Sequence, residues 1–450
     1  MSGDQTRADA MKHANWRWTT IVGAGALALG TLALAGPASA QTGPVSAAPA
    51  KGTPQLAKSG STEQVRQLVK CGGTMYAVGR FTAISWNGRT YNRHNVFSFS
   101  ATPPYAMTPW GPNVNGKVNS IALSRRCTTA WLGGAFSSVN GKAAQNIAAV
   151  STTTASLLTS FAHSANGQVE TLRKASGHLL AGGYYTQING SGRRYMTSLN
   201  TSTGKDDGFV RLRISGNYQY PGVSSNPTRV YNQQLSHSGK LDLVEGDFTS
   251  VGGQSRRQIF MLNVGGSRAA VTAWTSTEFN RNCATVEPFY VRAASWSPTD
   301  STVYIATTGF HPADQFPGSY PWTGLCDAAA AFPATQASVS HQWINYTGCD
   351  SLYSTATDVS TAYFGGHERW SENPRGCNFA GPDAISAPGL EGLSPATGAL
   401  TFNPTRSRGL GADDMLVTSA GLWIASDNLD NSAQCGHVSG HVGICLLPYG

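Results

Sequence analysis

Trp131-Leu-Gly-Gly-Ala-Phe136 sets two large apolar residues ahead of a glycine pair and closes on an aromatic ring. Six further stretches share this design: Tyr76 to Phe81, Leu180 to Tyr185, Leu243 to Phe248, Val303 to Phe310, Ala362 to Trp370 and Leu422 to Asp427. Their anchors at Tyr76, Trp131, Leu180, Leu243, Val303, Tyr363 and Trp423 are separated by 55, 49, 63, 60, 60 and 60 residues. A self-similar period of that size marks a stack of like units, so the 450 residues read as one body rather than several unrelated domains.

Working outward from the anchors, each unit reads as four short strands. In the first unit, Val65 to Val69 alternates apolar and polar residues, Cys71-Gly-Gly-Thr74 turns, and Tyr76 to Phe81 is the second strand. Asn95 to Phe99 makes a third strand, and Trp110 marks a fourth. Third strands recur at Ile147 to Val150, Tyr195 to Leu199, Ile259 to Leu262 and Ala328 to Phe332, and fourth-strand aromatics at Phe161, Phe209, Trp274, Trp343 and Phe402. Helical periodicity is almost absent. Four antiparallel strands per unit, joined by Gly, Asn and Ser turns, predict an all-β, seven-bladed β-propeller over residues 61–450. The glycine pairs would let backbones approach closely, and the aromatic that follows would wedge between neighbouring blades. The seventh unit shows only three strands, which leaves an open edge. A leader strand near Pro54 to Ser61 is therefore expected to pair with the last blade and close the ring.

Ahead of the array, Lys12 and Arg17 lead into an apolar run from Ile21 to Ala35 and then Ala38-Ser39-Ala40, the pattern of a secretory signal over residues 1–40. Residues 41–60, rich in Pro, Ala, Gly, Thr and Ser, read as a flexible leader, and no membrane span is expected once the signal is removed. The chain carries a net charge of +8 with only 12% charged residues and no Lys/Arg run longer than two. Such sparse positive charge argues against nucleic acid as a partner and would serve cell-wall polyanions equally well.

All eight cysteines follow the signal, and an even count in an exported protein implies disulfides. None has the close spacing of a zinc site. Cys71 and Cys127 fall in the first turns of consecutive units and would bridge them. Cys283 and Cys349 each precede a first strand, whereas Cys326 and Cys377 each lie in the long insertion after a second strand. Analogy between the two units then pairs Cys283 with Cys326 and Cys349 with Cys377, and leaves Cys435 with Cys445.

The run Gly-Gly-x-Phe-x-x-x-Asn-Gly (Gly133 to Gly141, and Gly182 to Gly190 with Tyr for Phe) is similar to the delta-sixty propeller repeat of secreted bacterial proteins. Leu325 to Phe332, Trp343 to Gly348, Gly365 to Trp370 and Leu422 to Asp427 resemble the actinobacterial branch of that family. The resemblance covers roughly residues 60–450. It implies a propeller and export, and carries no catalytic residue across. Ala306-Thr-Thr-Gly-Phe310 in unit five departs from the pattern, as does unit seven.

The longest insertions, His311 to Thr323 and His367 to Pro388, are where binding groups would collect on a rigid scaffold. Tyr320, Trp322, His367, Glu368, Arg369 and Trp370 form the candidate ligand surface: aromatic faces beside polar groups suit sugars. The plainer alternative is that disulfides pin these loops and the rings cover blade edges. His367 and Glu368 would diverge if their segment is extended, which weakens a joint acid/base role. Asp427-Asn-Leu-Asp-Asn431 offers oxygens at close spacing but lacks a complete calcium loop, and Thr203-Gly204 and Thr397-Gly398 read as hairpin bends. No hydrolase elbow, Walker loop, Cys-x-x-Cys pair or His-Glu-x-x-His run is present in the sequence, and no cofactor or metal is expected. The sequence thus points to a secreted, monomeric, non-catalytic binding scaffold for a glycan or a surface protein. Its rival is a carbohydrate-active lyase or hydrolase with a site at the channel mouth.

Overall fold

The computed structural model describes residues 44–57, 61–217, 227–280, 283, 289–310, 324–404, 411–428, 434–435, 438–439 and 441–450. All of them belong to a unit running from Gln41 to Gly450, and the secretory signal expected over residues 1–40 lies outside the described residues. Among the described residues the secondary structure is β apart from one 3-10 turn at Thr277–Asn280, and no helix is long and apolar enough to cross a membrane.

Among the described residues there are twelve antiparallel sheets, of which five are small and seven, which carry the repeat, follow one another along the chain. The first three are Gln64–Cys71 with Thr74–Arg80 and Val96–Ser100, Lys117–Leu123 with Thr129–Ala135 and Ile147–Ser151, and Val169–Ala175 with His178–Gly183 and Met196–Asn200. The next three add a fourth strand: Arg229–Leu235, Leu241–Asp247, Ile259–Asn263 and Ala270–Val271; Tyr290–Trp296, Thr302–Thr308, Ala328–Pro333 and Trp343–Tyr346; Leu352–Thr357, Ala362–Gly366, Glu391–Leu393 and Leu400–Phe402. The seventh is Asp414–Thr418 with Gly421–Ala425 and Ile444–Pro448.

The core is divided between the sheets. Seven clusters of buried apolar side chains each join two neighbours: Val78 meets Ile121 and Leu132, Trp131 meets Leu172, Leu180 meets Val244, and Leu243 meets Ile305. Tyr304 meets Phe364, Tyr363 meets Ile424, and in the last cluster Trp423 and Leu446 of the seventh sheet pack on Phe97 and Phe99 of the first. Phe136 and Tyr185, which follow glycine pairs, and Phe248, which follows the single Gly246, all lie inside these junctions and are 5% exposed or less. Each fully buried ring contributes about 1.5–3 kcal/mol by area removed from water, so the junctions hold the sheets in order.

Two features of the repeat find their physical reason here. Asn140 and Gly141 take φ of 49° and 75° between the paired residues Val139 and Lys142, the left-handed geometry of a two-residue hairpin. Asn87-Gly88 does the same between Trp86 and Arg89. The tryptophans that mark the fourth position reach the next sheet: the indole N–H of Trp110 donates to Ser151 O at 2.9 Å, that of Trp274 to Pro333 O at 2.9 Å, and that of Trp343 to Pro395 O at 3.0 Å.

A regular fourth strand is present only in the fourth, fifth and sixth sheets. In the first three it shrinks to one bridge, Phe99 with Met107, Val150 with Leu157, and Leu199 with Asp206, because the chain then turns away to seat its aromatic residue. The leader also differs from expectation. Its regular strand, Gln55–Leu56, pairs with Ala83–Trp86 of the first repeat. It follows the last strand through separate backbone bonds, Ser46 N to Pro448 O at 2.7 Å, Ala50 N to Leu446 O at 2.8 Å and Leu56 N to Val442 O at 3.0 Å. The first and seventh sheets meet directly as well, with Val65 N donating to Ser426 O at 2.8 Å and Leu68 N to Asp414 Oδ2 at 2.8 Å.

The disulfides join Cys71 to Cys127, Cys283 to Cys326, Cys349 to Cys377 and Cys435 to Cys445. The first links the turns of two neighbouring sheets.

Candidate functional site: a cavity lined by bulged residues

In six of the seven sheets the first strand carries a β-bulge near its start, where the register shifts between Val65 and Gln67, Val118 and Ser120, Val169 and Thr171, Val230 and Asn232, Val291 and Ala293, and Leu352 and Ser354. In five of the six a glycine of the second strand faces the bulge. A Cβ on Gly134 would collide with the carbonyl of Lys117, and Gly79, Gly183, Gly246 and Gly366 stand in the same relation to their own first strands. A bulge leaves one residue unpaired and re-aims it. The residues so released are Arg66, Asn119, Glu170, Tyr231, Arg292 and Tyr353. With Asp413, which precedes the unbulged seventh first strand, all of them line one cavity of about 300 Å³.

Polar bonds between neighbouring first strands fix the cavity wall. Gln67 Oε1 accepts Ile121 N–H at 2.7 Å, Asn119 Nδ2 donates to Glu170 Oε2 at 3.0 Å, and the Tyr231 hydroxyl donates to Val291 O. Ser295 Oγ lies 3.0 Å from Thr355 Oγ1, and Ser354 Oγ donates to Ala412 O at 2.7 Å.

Arg66, Arg292, Tyr353 and Asp413 also line a second, adjoining hollow of about 440 Å³, together with Gln64, Tyr290, Phe310 and Ser351. This hollow is the mouth of the cavity. The Arg292 guanidinium lies over the Tyr353 ring at 5.1 Å, and the Tyr353 hydroxyl is 2.8 Å from His367 Nδ1. Burial pushes the Asp413 carboxyl up to about 7 even though Arg66 and Arg292 oppose the shift, and burial pushes the Tyr353 phenol up to about 12. At neutral pH the mouth thus presents two guanidinium groups, a neutral phenol and a carboxyl poised near its titration point. Deeper in the wall burial raises Asp414 to about 6, Asp242 to about 7 and Glu245 to about 8, all three close to the buried Arg173.

The sequence candidates divide in this setting. Tyr320 and Trp322 lie outside the described residues; Phe310, the last described residue before them, lines the mouth. His367 is half-buried against Tyr353 and so belongs to the site. Glu368 is 0% exposed, turned into the sixth sheet. Arg369 is committed to Asp350, with Nε to Oδ2 at 2.7 Å and Nη2 to Oδ1 at 2.8 Å, and it secures the insertion rather than facing a ligand. Trp370 is half-buried and pairs with Ser386. The four described candidates, His367, Glu368, Arg369 and Trp370, thus have separate surroundings.

Asp427 is bridged to Gln64, Asn428 Oδ1 accepts Glu63 N–H at 2.8 Å, and Asp430 and Asn431 lie outside the described residues. No group of three or more His, Cys, Asp or Glu among the described residues is disposed to hold a metal. Gly204 and Gly398 take φ of 70° and 72° in hairpin bends.

The cavity residues left a signal in the sequence. Val65-Arg-Gln, Val118-Asn-Ser, Val169-Glu-Thr, Val230-Tyr-Asn, Val291-Arg-Ala and Leu352-Tyr-Ser recur with the repeat period, an apolar residue followed by a large polar or aromatic one.

No family model matches the chain, and no curated protein matches it. Among solved structures it is similar to U3-55K, at 10% identity and a TM-score of 0.48 over 89% of this chain and 100% of that one. It is similar also to the RRP9 WD40 repeats, at 10% identity and a TM-score of 0.47 over 89% and 98%, and to the WD40 β-propeller domain of Doa1, at 12% identity and a TM-score of 0.39 over 84% and 95%. At such values these likenesses assign neither a family nor an activity, and the chain's function is to be sought in its own cavity.

Proposed function

We propose that the seven sheets are the blades of a closed, seven-bladed β-propeller, and that this propeller is a secreted, monomeric, non-catalytic binding scaffold whose mouth takes an acidic glycan. The circuit of apolar junctions, ending with the seventh sheet against the first, supports the ring, and the leader segment beside Ile444–Pro448 would fill the fourth place of the last blade. Four disulfides fit an oxidising compartment. The observation that carries the ligand class is the mouth itself, whose lining joins Arg66 and Arg292 to Tyr290, Tyr353 and Phe310, with Arg292 over the Tyr353 ring. Guanidinium groups recognise carboxylates by paired hydrogen bonds, and ring faces pack on the apolar faces of sugars.

A second reading, turnover by a lyase or hydrolase at this mouth, is favoured by the Tyr353 and His367 contact, a pair able to hold or move a proton beside Arg292. The discriminating experiment is a screen against uronic-acid and neutral oligosaccharides, each hit then incubated and examined for new reducing ends or unsaturated product. Binding of acidic chains without product, lost in Arg292→Ala, supports the scaffold. Product formation lost in Tyr353→Phe moves the assignment to the enzyme, and binding restricted to neutral chains overturns the acidic ligand.

A further inference from the structure

We propose that the opposite end of the axial cavity is a separate docking site for an acidic peptide segment of a partner protein, anchored by an apolar side chain. Beyond their bulges the first strands continue as a regular pleat, and their far ends enclose a concavity of about 730 Å³. Its floor includes Val69, Leu123, Leu416 and Val417, apolar side chains that remain only half-buried. Its accessible cationic groups are Lys70, Arg125 and Lys174, contributed by three successive sheets, whereas the buried Arg173 is engaged by Asp414, Asp242 and Glu245. Asp414 is the carboxylate of the lining, and its Oδ2 accepts the Leu68 N–H at 2.8 Å. The disulfide between Cys71 and Cys127 ties together the two turns that carry part of this rim.

Charge complementarity selects the occupant. Three accessible cations, with the lining carboxylate Asp414 already engaged, call for an anion, and charges of this kind steer acidic partners and set register. The half-exposed aliphatic floor adds a demand that a phosphate cannot meet and that a sugar acid, whose C–H face packs on aromatic rings, meets poorly, because neither inserts an alkyl side chain over Leu123 and Val417. A peptide with Asp or Glu flanking Leu or Phe meets both, and a hollow of this size accepts such a side chain together with its neighbours. The site shares no residue with the acidic-glycan mouth, so the two stand or fall separately.

The test is an array of short synthetic peptides graded in Asp/Glu content, each with and without a central Leu or Phe, followed by fluorescence anisotropy of the hits. The expected result is binding that requires both features, weakened about tenfold or more by Arg125→Glu with Lys70→Glu and also by Leu123→Ser, and unchanged by Arg292→Ala. Melting temperatures of the variants close to that of the parent show that the fold is intact. The proposal is overturned if no peptide binds, if polyglutamate binds as well as the Leu-containing peptides, or if Arg292→Ala removes the binding.

Discussion

The two ends of the cavity are made by the same strands yet differ in chemistry. At the mouth the first strands are bulged, and the unpaired positions carry Arg66, Arg292 and Tyr353. At the far end they run in regular register, and alternation leaves Val69 and Leu123 beside Lys70 and Arg125. One local irregularity, present in six of the seven sheets and faced by a glycine in five of them, separates a polar mouth from an apolar and basic bowl. Where the second glycine is missing the device changes. The fifth sheet has Thr307 in that place, and its hydroxyl bonds the backbone at Leu325 and Ala328. The seventh sheet loses the bulge altogether and supplies Asp413 from just ahead of its strand.

The hardest blow to this contrast is Gly134→Val, which places a side chain against Lys117 O. It should destabilise the protein by about 4 kcal/mol or more, read as a lower denaturation midpoint, and an unchanged midpoint would contradict the role given to the glycine. Removing the Cys71 and Cys127 bridge, with its sequence separation of 56, should cost about 2–4 kcal/mol of stability. It should also loosen the far rim, where Cys71 sits, while leaving ligand binding at the mouth intact. Next, Arg292→Ala should weaken acidic-glycan binding by about 2 kcal/mol in titration calorimetry without a comparable change in melting temperature.

A smaller effect sharpens the electrostatics. The Asp413 carboxyl titrates near 7 in the folded protein against about 3.9 unfolded, so the folded state holds this proton more tightly. Its contribution to stability is therefore lost as pH rises from about 4 to about 7. Below 7 it is neutral and leaves Arg66 and Arg292 free to attract a carboxylate. Affinity for an acidic glycan should rise as pH falls through 7, by at most about tenfold per pH unit, and Asp413→Asn should flatten that profile. Smallest of all, Asn140→Ala at a φ of 49° should cost about 1 kcal/mol and leave both ends unaltered.

Much of this architecture was legible because glycine and aromatic positions report backbone needs directly. Gly133-Gly134-Ala-Phe136 marked a close approach and a wedge, and Asn140-Gly141 a hairpin, each for a steric reason that a sequence displays. The cysteine pairs followed from equivalent positions in neighbouring units. The site was harder to read. Arg66, Glu170 and Arg292 sit in alternating strands as ordinary outward polar residues would, and only the bulge turns them inward. In the insertion after Gly366, Arg369 is held by Asp350 and Glu368 is buried, whereas His367 meets Tyr353 of the cavity wall. The fourth strands were over-read because Trp110 and Phe161 carry strand-like ring positions without strand pairing.

On the proposed function, the bulged residues at the mouth recognise a carboxylate-bearing sugar. The most direct measurement compares, by calorimetry at pH 6, one uronic-acid oligosaccharide with its carboxyl-reduced counterpart on the parent protein and on Arg66→Ala with Arg292→Ala. The account predicts that the parent prefers the acidic form by about tenfold or more and that the double variant loses the preference. Equal affinity for the two forms on the parent, or a preference that survives in the double variant, would contradict it.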